Sequence, residues 1–355
     1  MKTIKTYFVA CACVLMFFSM TVKAQNDKDM MAFLSAAPAD ASKLMTAYAT
    51  PVVKSLSYGL TGGWYHTAKT HNTLGVDIGV TINAVFIPTS DNYFTPGSLG
   101  LKTIDTKNGG FVNNTTGTQQ APTVVGPDDK TTYTSTYDPG GGIGPQSVSF
   151  SGPGGFDLKR QIGFAALPAP MAQIGIGIIK NTDIKIRYVP QIHQGSSNVS
   201  MFGLGVMHDI KQYIPGIKSL PFDLSAFVGY NSVTGSTGLV SSSGNPTSTD
   251  GSLSYKFNSW AFQGLISKKF SVLTLYGGLG WGTIATKVNV TGHYTIQGAP
   301  AGSFTVKDPV TINLSNNSIK LTVGMRLKFG PFYLNGDYTL QKYNAVSAGL
   351  GFSFR

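Results

Sequence analysis

The stretch TLGVDIGVTINAVFIP, residues 73–88, alternates between apolar residues and polar or small residues from Leu74 to Ala84. A period of two places successive side chains on opposite faces of a β-strand. This stretch is longer than an ordinary strand of ~5–6 residues and reaches the ~9–11 residues that cross a bilayer at a tilt. It therefore predicts a membrane-spanning strand with one apolar side and a polar side that carries Asp77 and Asn83.

The same alternation returns along the chain and gives about eleven candidate strands. It is clearest in DIKIRYV (183–189), FDLSAFVGYN (222–231), SIKLTVGMRLKF (318–329) and FYLNGDYTLQ (332–341). Further candidates lie at 57–66, 171–179, 199–208, 253–267, 270–284 and 344–354. Single-chain bacterial barrels have an even number of strands. Either 57–66 lies outside the wall or 88–170 hides further strands, and we favour 12–14 strands.

Composition agrees with an all-β chain. Of 355 residues only 12% are charged, 43 are glycine, and the sixteen acidic residues are all Asp. A helix-rich chain would use Glu, a strong helix former, freely. We predict an all-β protein: a transmembrane antiparallel up-and-down β-barrel of 12–14 strands with a short N-terminal helical segment.

The connections between candidate strands differ in length in an ordered way. The segments 180–183, 268–269 and 330–331 are short, whereas 88–170, 232–252 and 285–316 are long and polar. When strand direction is alternated backwards from the C-terminus, all three long segments fall at one end. Outer-membrane barrels have short periplasmic turns and long extracellular loops. The longer connection 208–221 on the short-turn side is an exception.

The N-terminus has the pattern of a secretory signal peptide. Lys2 and Lys5 precede a short apolar run, and a small-residue cleavage pattern ends at Ala24. We predict cleavage after Ala24 and residence in the bacterial outer membrane. Cys11 and Cys13 would leave with the signal, so that the mature chain would have no thiol for disulfides or metals.

Residues 25–56 are predicted to be an N-terminal helical segment and a candidate lumen plug. Asp40 is a suitable N-cap, Leu44 and Tyr48 are four residues apart, and Pro51 is a suitable stop. Residues 57–355 then form the barrel, with a long extracellular loop at 88–170.

Charged side chains in the candidate strands must face the lumen, because a lipid-facing Lys or Arg at the bilayer midplane costs ~2–4 kcal/mol. They either pair with one another in a salt-bridge network that fills and rigidifies the barrel or line a path for a solute, and we favour the network. These lumen-facing candidates are Asp77, Lys185, Arg187, Asp223, Lys320, Arg326, Lys328 and Asp337.

Aromatic residues lie at or near the ends of candidate strands, where interfacial girdles of a membrane barrel would place them. Stacking within an ordinary β core is the alternative. The residues concerned are Trp64, Tyr65, Trp260, Trp281, Tyr333, Tyr338 and Tyr343.

No motif for chemistry stands out. The histidines His66 and His71 are five residues apart with no Glu or Cys nearby to complete a zinc site. His193 with Ser196, and His293 with Thr295, match no known catalytic spacing. We therefore predict no catalytic, cofactor-binding or metal residues, no cofactor and no enzymatic activity.

The C-terminal stretch SAGLGFSFR, residues 347–355, is patterned to its end. Ser347, Gly349, Phe352 and Phe354 resemble the C-terminal signal that the outer-membrane assembly machinery recognises in substrate barrels. The resemblance implies that this strand docks on the machinery by β-augmentation before the barrel closes. The family pattern ends on the aromatic residue itself, so Arg355 is a departure from it.

The chain as a whole resembles the uncharacterised outer-membrane barrels found in Bacteroidota. The resemblance rests on GWYHTAKTHNTLGVDIGV (63–80), APTVVG (121–126), LPAPMAQIGIGIIKNTDIKIRYVP (167–190) and LPFDLSAFVGY (220–230). A helical segment ahead of a barrel is also similar, more distantly, to the long-chain fatty acid transporter family, a plugged 14-strand barrel. That second resemblance implies an architecture and carries over no ligand-binding residue.

These observations lead us to expect a monomeric passive channel or transporter for a small or hydrophobic solute. The alternative is a non-conducting barrel that acts through its long extracellular loops, as a structural element or by binding a surface partner. Expected partners are outer-membrane lipid, the barrel-assembly machinery and a small solute, and no nucleic acid.

Overall fold

The computed structural model covers most of the chain beyond the proposed signal peptide. The predicted cleavage site and Arg355 lie outside the described residues. The structure describes residues 31–36, 38–104, 119–137, 146–163, 165–242, 246–298 and 302–354.

Helices are few among the residues that the structure describes. The main one is α1, Pro38–Leu60, and a short one is α2, Leu158–Ile162. Four 3₁₀ turns in the same residues are Ala32–Ser35, Thr89–Asn92, Pro96–Leu99 and Lys211–Tyr213.

Sixteen strands are formed in the described part of the chain. In chain order they are β1 Val76–Phe86, β2 Tyr93–Phe94, β3 Ala121–Pro122, β4 Thr132–Tyr137, β5 Gln146–Ser151, β6 Ala166–Ile178, β7 Thr182–Gln194, β8 Ser197–Asp209, β9 Asp223–Gly238, β10 Ser252–Phe270, β11 Leu273–Thr291, β12 His293–Gly298, β13 Gly302–Lys307, β14 Val310–Phe329, β15 Phe332–Leu340 and β16 Ala345–Phe354.

Ten of these strands close into one antiparallel barrel, in the order β1-β16-β15-β14-β11-β10-β9-β8-β7-β6. The first and last wall strands pair from Val76 opposite Phe354 to Val85 opposite Ala345, which closes the ring. The other strands form three separate hairpins, β2-β3, β4-β5 and β12-β13. The predicted antiparallel barrel is confirmed, and we call its ten strands the wall.

The predicted number of 12–14 strands is wrong for the described residues, because one candidate is not a strand. Residues 57–60 end α1, and 61–66 continue as coil. In the candidate 57–66 nearly every side chain is buried, so no face is left for lipid. The remaining ten candidates are the ten wall strands. The hidden strands considered within 88–170 are the small hairpins and part of β6, which begins at Ala166.

The two ends of the barrel differ in their connections. The long connections 87–165, 239–251 and 292–309 lie at one end, which we call the loop end. The connections 179–181, 210–222, 271–272 and 330–331 lie at the other, the turn end. The loop end also has two short connections, 195–196 and 341–344.

The outer face of the wall carries an apolar belt. Its members are exposed on neighbouring strands, and such a continuous apolar surface is typical of contact with lipid. Trp260 and Trp281 border the belt toward the loop end, and Phe270, Phe329 and Phe354 lie toward the turn end. The belt includes Ile78, Ile174, Ile186, Leu204, Ile266, Leu279, Val323, Leu334 and Leu350.

Strands β10, β11 and β14 continue past this belt, and their polarity inverts there. Within the belt Phe262 points outward and Gln263 is buried, but beyond it Lys256 is exposed and Phe257 is buried. The extension is therefore polar outside and apolar inside. The outward residues of the extension resemble a loop in the sequence, which is why the candidates 270–284 and 318–329 stop short of the loop ends of β11 and β14. The candidate 253–267 includes the extension of β10 and falls short at its turn end.

The segment 38–75 runs through the inside of the barrel, and we call it the plug. It consists of α1 and the coil 61–75. Its backbone accepts hydrogen bonds from Asn83 of β1, Arg187 of β7, Asn231 of β9 and Lys320 of β14. These strands lie on all sides of the closed ring, so the segment between them lies in the lumen.

Two local predictions about the helix are wrong. Pro51 does not end the helix, which continues to Leu60. A proline removes one helix hydrogen bond. The nearby Tyr48 and Val53 are buried against surrounding elements, and this packing supports a helix that continues past the proline. Asp40 lies inside the first turn, and its carboxylate binds a loop backbone rather than the helix N-terminus.

An apolar cluster, which we call the cap, closes the loop end around the first half of α1. Leu44 and Tyr48 of α1 pack there with Tyr133 of β4, Tyr294 of β12 and Ile312 of β14. The ring of Phe33 contacts both Tyr48 and Tyr133, with centroids 5.7 Å apart in each pair. The inverted strand extensions and the small hairpins together supply the walls of this cluster.

Candidate functional site

The C-terminus of α1 lies in the lumen and is held there by two cations of the wall. The last carbonyls of a helix have no partner within it, and that end carries partial negative charge. The Arg187 guanidinium donates to the carbonyls of Leu60, at 3.3 Å, and Gly62, at 2.9 Å. The Lys320 ammonium donates to the Thr61 carbonyl, at 2.8 Å, and to its hydroxyl, at 2.7 Å.

These two cations approach the helix from opposite sides. Arg187 is on β7 and Lys320 on β14, five strands apart in the ring of ten. Both side chains are buried, at 0% and 2% exposure. Charge-assisted hydrogen bonds in a buried site are among the strongest in proteins. The wall therefore clamps the plug where α1 becomes coil.

Amide side chains add neutral contacts at the same level. Asn231 donates to the Leu60 carbonyl and Asn83 to the Gly59 carbonyl, each at 2.7 Å. Gln173 donates to the Trp64 carbonyl at 3.1 Å. The carbonyls of residues 59–62 and of Trp64 thus find donors on the wall.

Trp64 is the bulkiest anchor of the plug. The centroid of its ring lies 3.6 Å from the Arg187 guanidinium carbon. Gly205 and Gly229, which pair directly on β8 and β9, also lie against the indole. A Cβ at either glycine would come within 3.0 Å of the indole. Because these positions have no side chain, the wall backbone can approach the ring closely, and the Arg187 cation adds a second contact.

The coil makes a second set of polar contacts toward the turn end. The two ring nitrogens of His71 lie 2.8 Å from the Asp183 carboxylate and 3.1 Å from the Ser353 hydroxyl. The His71 backbone N–H also donates to Asp183, at 2.8 Å. These bonds tie the plug to β7 and to β16.

Serine, histidine and aspartate in this order have the hydrogen bonding of an acid–base relay. A nucleophile also needs access to a substrate. Ser353, His71 and Asp183 are only 1%, 2% and 0% exposed. In this arrangement the three side chains act as a joint between plug and wall.

His66 extends that joint. Its ring nitrogen lies 3.3 Å from the Asp77 carboxylate of β1, and the Tyr333 hydroxyl donates to the same oxygen at 3.0 Å. The His66 and Tyr333 rings are 4.3 Å apart. One carboxylate therefore joins the plug to β1 and β15, the two strands that flank β16.

The structure buries six of the eight lumen-facing candidates and places two at the turn end. Asp223 and Lys328 are the partly exposed pair, and Lys328 donates to the Ser353 carbonyl at 2.8 Å. The Asp337 carboxylate accepts from Tyr276 at 2.9 Å. The buried residues are Asp77, Lys185, Arg187, Lys320, Arg326 and Asp337.

Sequence reasoning missed the plug residues that meet these side chains. Trp64 and Tyr65 are in the lumen rather than in a girdle, and the Tyr65 hydroxyl donates to Gln263. Tyr333 and Tyr343 are buried too, whereas Trp260, Trp281 and Tyr338 are exposed on the outer face. The run GWYHTAKTH (63–71), which is rich in aromatic and histidine residues, is the sequence signal that points to these contacts.

The four residues of the predicted assembly signal lie on β16, the strand that closes the barrel against β1. Ser347 is buried and Gly349 is half-buried, whereas Phe352 and Phe354 are 47% and 56% exposed on the outer face. The two polar or small positions thus face inward and the two rings face outward.

At the loop end the plug is anchored by Asp40. Its carboxylate accepts from the backbone N–H of Lys102, at 2.9 Å, and of Thr103, at 2.7 Å, and from the Thr103 hydroxyl, at 2.8 Å. Burial raises the pKa of Asp40, but the hydrogen bonds from Thr103 and Lys102 outweigh it and lower the pKa below its ordinary value of 3.8.

We expect Asp40→Asn to loosen this anchor by on the order of 1–3 kcal/mol at neutral pH, because charged acceptors are lost. Trypsin should cut faster after Lys102 in Asp40→Asn than in the wild type. Asp250→Asn, in another loop, is the control and should leave that rate unchanged. The folded pKa is depressed, so the anchor is complete above about pH 4 and lost as pH falls through the folded pKa. Equal cleavage of both proteins at Lys102 would contradict this role.

In the described part of the chain, no helix is long and apolar enough to cross a membrane. Among the side chains that the structure describes, no group of three His, Cys, Asp or Glu residues is placed to hold a metal ion.

Comparison with solved structures finds outer-membrane barrels at low similarity. The translocator domain of autotransporter NalP from Neisseria meningitidis is 11% identical, with a TM-score of 0.31, over 88% of this chain and 98% of that chain. The transport unit of the autotransporter AIDA-I from Escherichia coli is 11% identical, with a TM-score of 0.28, over 90% and 99%. Ail, the attachment invasion locus protein of Yersinia pestis, is 12% identical, with a TM-score of 0.24, over 49% and 91%.

No curated protein matches the chain. A family match covers nearly all of it, from the N-terminus through the plug and the wall to Phe354. Residues 1–354 match DUF6588, a family of unknown function, and the chain belongs to that family.

Proposed function

We propose that this protein is a bacterial outer-membrane barrel that is closed to solutes in its resting state. It acts at its loop end, through the cap, as a structural element or by binding a surface partner. The loop end faces the outside of the cell, and the turn end faces the periplasm, as loop lengths in such barrels are arranged. The protein works as a monomer after its signal peptide is removed.

One observation carries this proposal. Arg187 and Lys320, which could line a polar path, bind the backbone carbonyls of the plug instead. A permeating solute would have to displace a helix end, Trp64 and the coil below it. At the loop end it would also meet the apolar cap. Both barriers support a barrel closed at rest.

Passive transport stays a prediction, and a gated form of it is the second candidate. One feature favours that form: the coil 61–75 is held largely by side chains, whereas the wall is held by a continuous backbone ladder. Displacing the coil would leave the wall intact. The similarity to plugged fatty acid transporters and the origin in Bacteroidota likewise stay predictions.

Single-channel recording of the wild-type protein in a planar bilayer tests the closed barrel. We expect no stepwise current from correctly folded protein, whose folding is verified by a shift in gel mobility on boiling. A steady open current from most inserted molecules would contradict the proposal and favour passive transport.

We further propose that β16 docks on the barrel-assembly machinery through its outward rings. Phe354→Ala is expected to lower the amount of folded barrel in the membrane several-fold, while the barrels that do assemble melt at nearly the wild-type temperature. Phe329→Ala, which removes a similarly exposed ring at the same end, is the control and should assemble normally. If both variants lowered the amount of folded barrel equally, the effect would be common to exposed aromatic residues of the belt and would contradict a special role of β16.

A further inference from the structure

A cleft of about 350 Å³ lies on the outer face of the wall, where β10, β11 and β14 extend past the apolar belt. Lys256, Asn258, Lys287, Asn313 and Ser315 line it. We propose that this cleft binds the head group of a lipid that carries a phosphate monoester. The proposal rests on the membrane placement proposed above, and it concerns a surface that the closed lumen does not use.

The two lysines are directly opposite each other in the sheet. Lys256 of β10 pairs with Lys287 of β11, and both are exposed on the outer face. Opposed side chains in a sheet have Cβ atoms ~4.5–5.5 Å apart, and like charges there are destabilising. The sequences of β10, β11 and β14 contain no Asp or Glu. An anion bound between the ammonium groups would remove this repulsion.

Neutral donors complete the lining. The Asn258 side-chain oxygen accepts from the Tyr230 hydroxyl and from the Ser232 hydroxyl, each at 3.0 Å. With its oxygen engaged in this way, Asn258 has its amide N–H groups left to donate. Asn313 and Ser315 add an amide and a hydroxyl on the neighbouring strand. Two cations with several N–H and O–H donors match the several acceptor oxygens of a phosphate monoester.

The height of the cleft favours a lipid over a free ion. Lys256 lies four residues beyond Trp260 on β10, which is roughly 13 Å along the strand at ~3.3 Å per residue. Trp260 belongs to the rim of aromatic residues at the edge of the belt, so the lysines lie at head-group level. Below them, Ile319 pairs with Trp281 and is 74% exposed. A lipid can contact the cleft with its phosphate and this apolar surface with its chains.

The test is native mass spectrometry of the full-length mature protein in detergent, with phosphatidic acid as the probe. Phosphatidylcholine and inorganic phosphate are compared with it. We expect phosphatidic acid to bind the wild type in preference to phosphatidylcholine. Lys256→Gln with Lys287→Gln should weaken binding on the order of tenfold or more, since hydrogen bonds to charged groups are lost.

Lys268→Gln with Lys269→Gln is the matched control, because it removes the same charge from exposed positions of β10 at the turn end. It should bind phosphatidic acid as the wild type does. Equal loss in both double variants, no loss in either, or equal binding of phosphatidylcholine to the wild type would overturn the site. If inorganic phosphate, which has no lipid chain, displaced phosphatidic acid, the claim that the cleft binds a lipid would be overturned.

Even if the cleft variant does not fold, equal binding of the two lipids by the wild type would overturn the proposal. The assay reads lipid binding to the outer face and is independent of ion conduction. A wild-type barrel that conducts would therefore overturn the closed-barrel proposal and leave this one standing.

Discussion

Replacing Arg187 and Lys320 together by methionine is expected to turn a silent barrel into one that conducts ions. The change removes four hydrogen bonds from charged donors to the plug, two from each residue. Each such bond contributes roughly 1.5–3 kcal/mol. Methionine has a similar length and keeps the lumen filled, so the main loss is the hold on the carbonyls of residues 60–62.

The wall itself should not be weakened by this change. Burying two cations costs desolvation energy, and methionine avoids that cost, which offsets part of the loss of hydrogen bonds to the plug. Because a backbone ladder holds the wall together, we expect the unfolding temperature of the barrel to change little while current appears. The measurement is single-channel recording of the double variant, with each single variant intermediate. Lys268→Met with Lys269→Met, at exposed positions, is the control and should stay silent. A silent Arg187→Met/Lys320→Met barrel would mean that these cations do not hold the plug.

Trp64→Ala is expected to cause the largest loss of stability of any single change in the plug. Removing a buried aromatic side chain costs about 3–5 kcal/mol, because a cavity remains. Here the Arg187 guanidinium, 3.6 Å from the ring, also loses its aromatic partner. Gly205 and Gly229, which also lie against the ring, cannot fill the space, since they have no side chains.

Trp260→Ala provides a matched comparison. This ring is 45% exposed on the outer face, in the apolar belt. Lipid or detergent can fill the space that it leaves, so we expect a much smaller effect. The measurement is the temperature at which the folded gel band disappears. If the two tryptophan variants unfold at the same temperature, the lumenal anchor is not what stabilises the protein.

The period-two pattern located ten wall strands because lipid and lumen impose opposite demands on the two faces of each one. Residues 76–86 are typical: Ile78 is exposed on the apolar outer face and Asp77 is buried in the lumen. The lengths of β11 and β14 are underestimated because the demands reverse beyond the belt, where Lys287 points out and Val288 points in.

The segment 57–66 misled the strand count for a related reason. Its alternating residues resemble a wall strand, but a segment inside a closed barrel is surrounded by protein on every side. Both Tyr58 and Ser57 are therefore buried, at 2% and 0% exposure. The decision between strand and plug depends on contacts such as Ser57 with Thr286, 229 residues away. A local pattern carries no information about such contacts.

The inward charges could be proposed from the sequence, but their partners could not. Lys320 and Thr61 are separated by 259 residues, and Arg187 and Leu60 by 127. The sequence suggested that cations and carboxylates would pair with one another. In the structure, Arg187 and Lys320 bind backbone carbonyls, which every residue has and no sequence pattern marks.

The most direct test of the plugged lumen is a reversible lock between plug and wall. The Ser57 hydroxyl of α1 lies 3.5 Å from the Thr286 hydroxyl of β11, so that Ser57→Cys with Thr286→Cys should form a disulfide. These changes are combined with Arg187→Met and Lys320→Met, and the current is recorded before and after reduction. We predict that the oxidised barrel is silent and that reduction starts stepwise conduction. A current that is the same before and after reduction, in protein whose disulfide has formed, would contradict the claim that the plug closes the barrel.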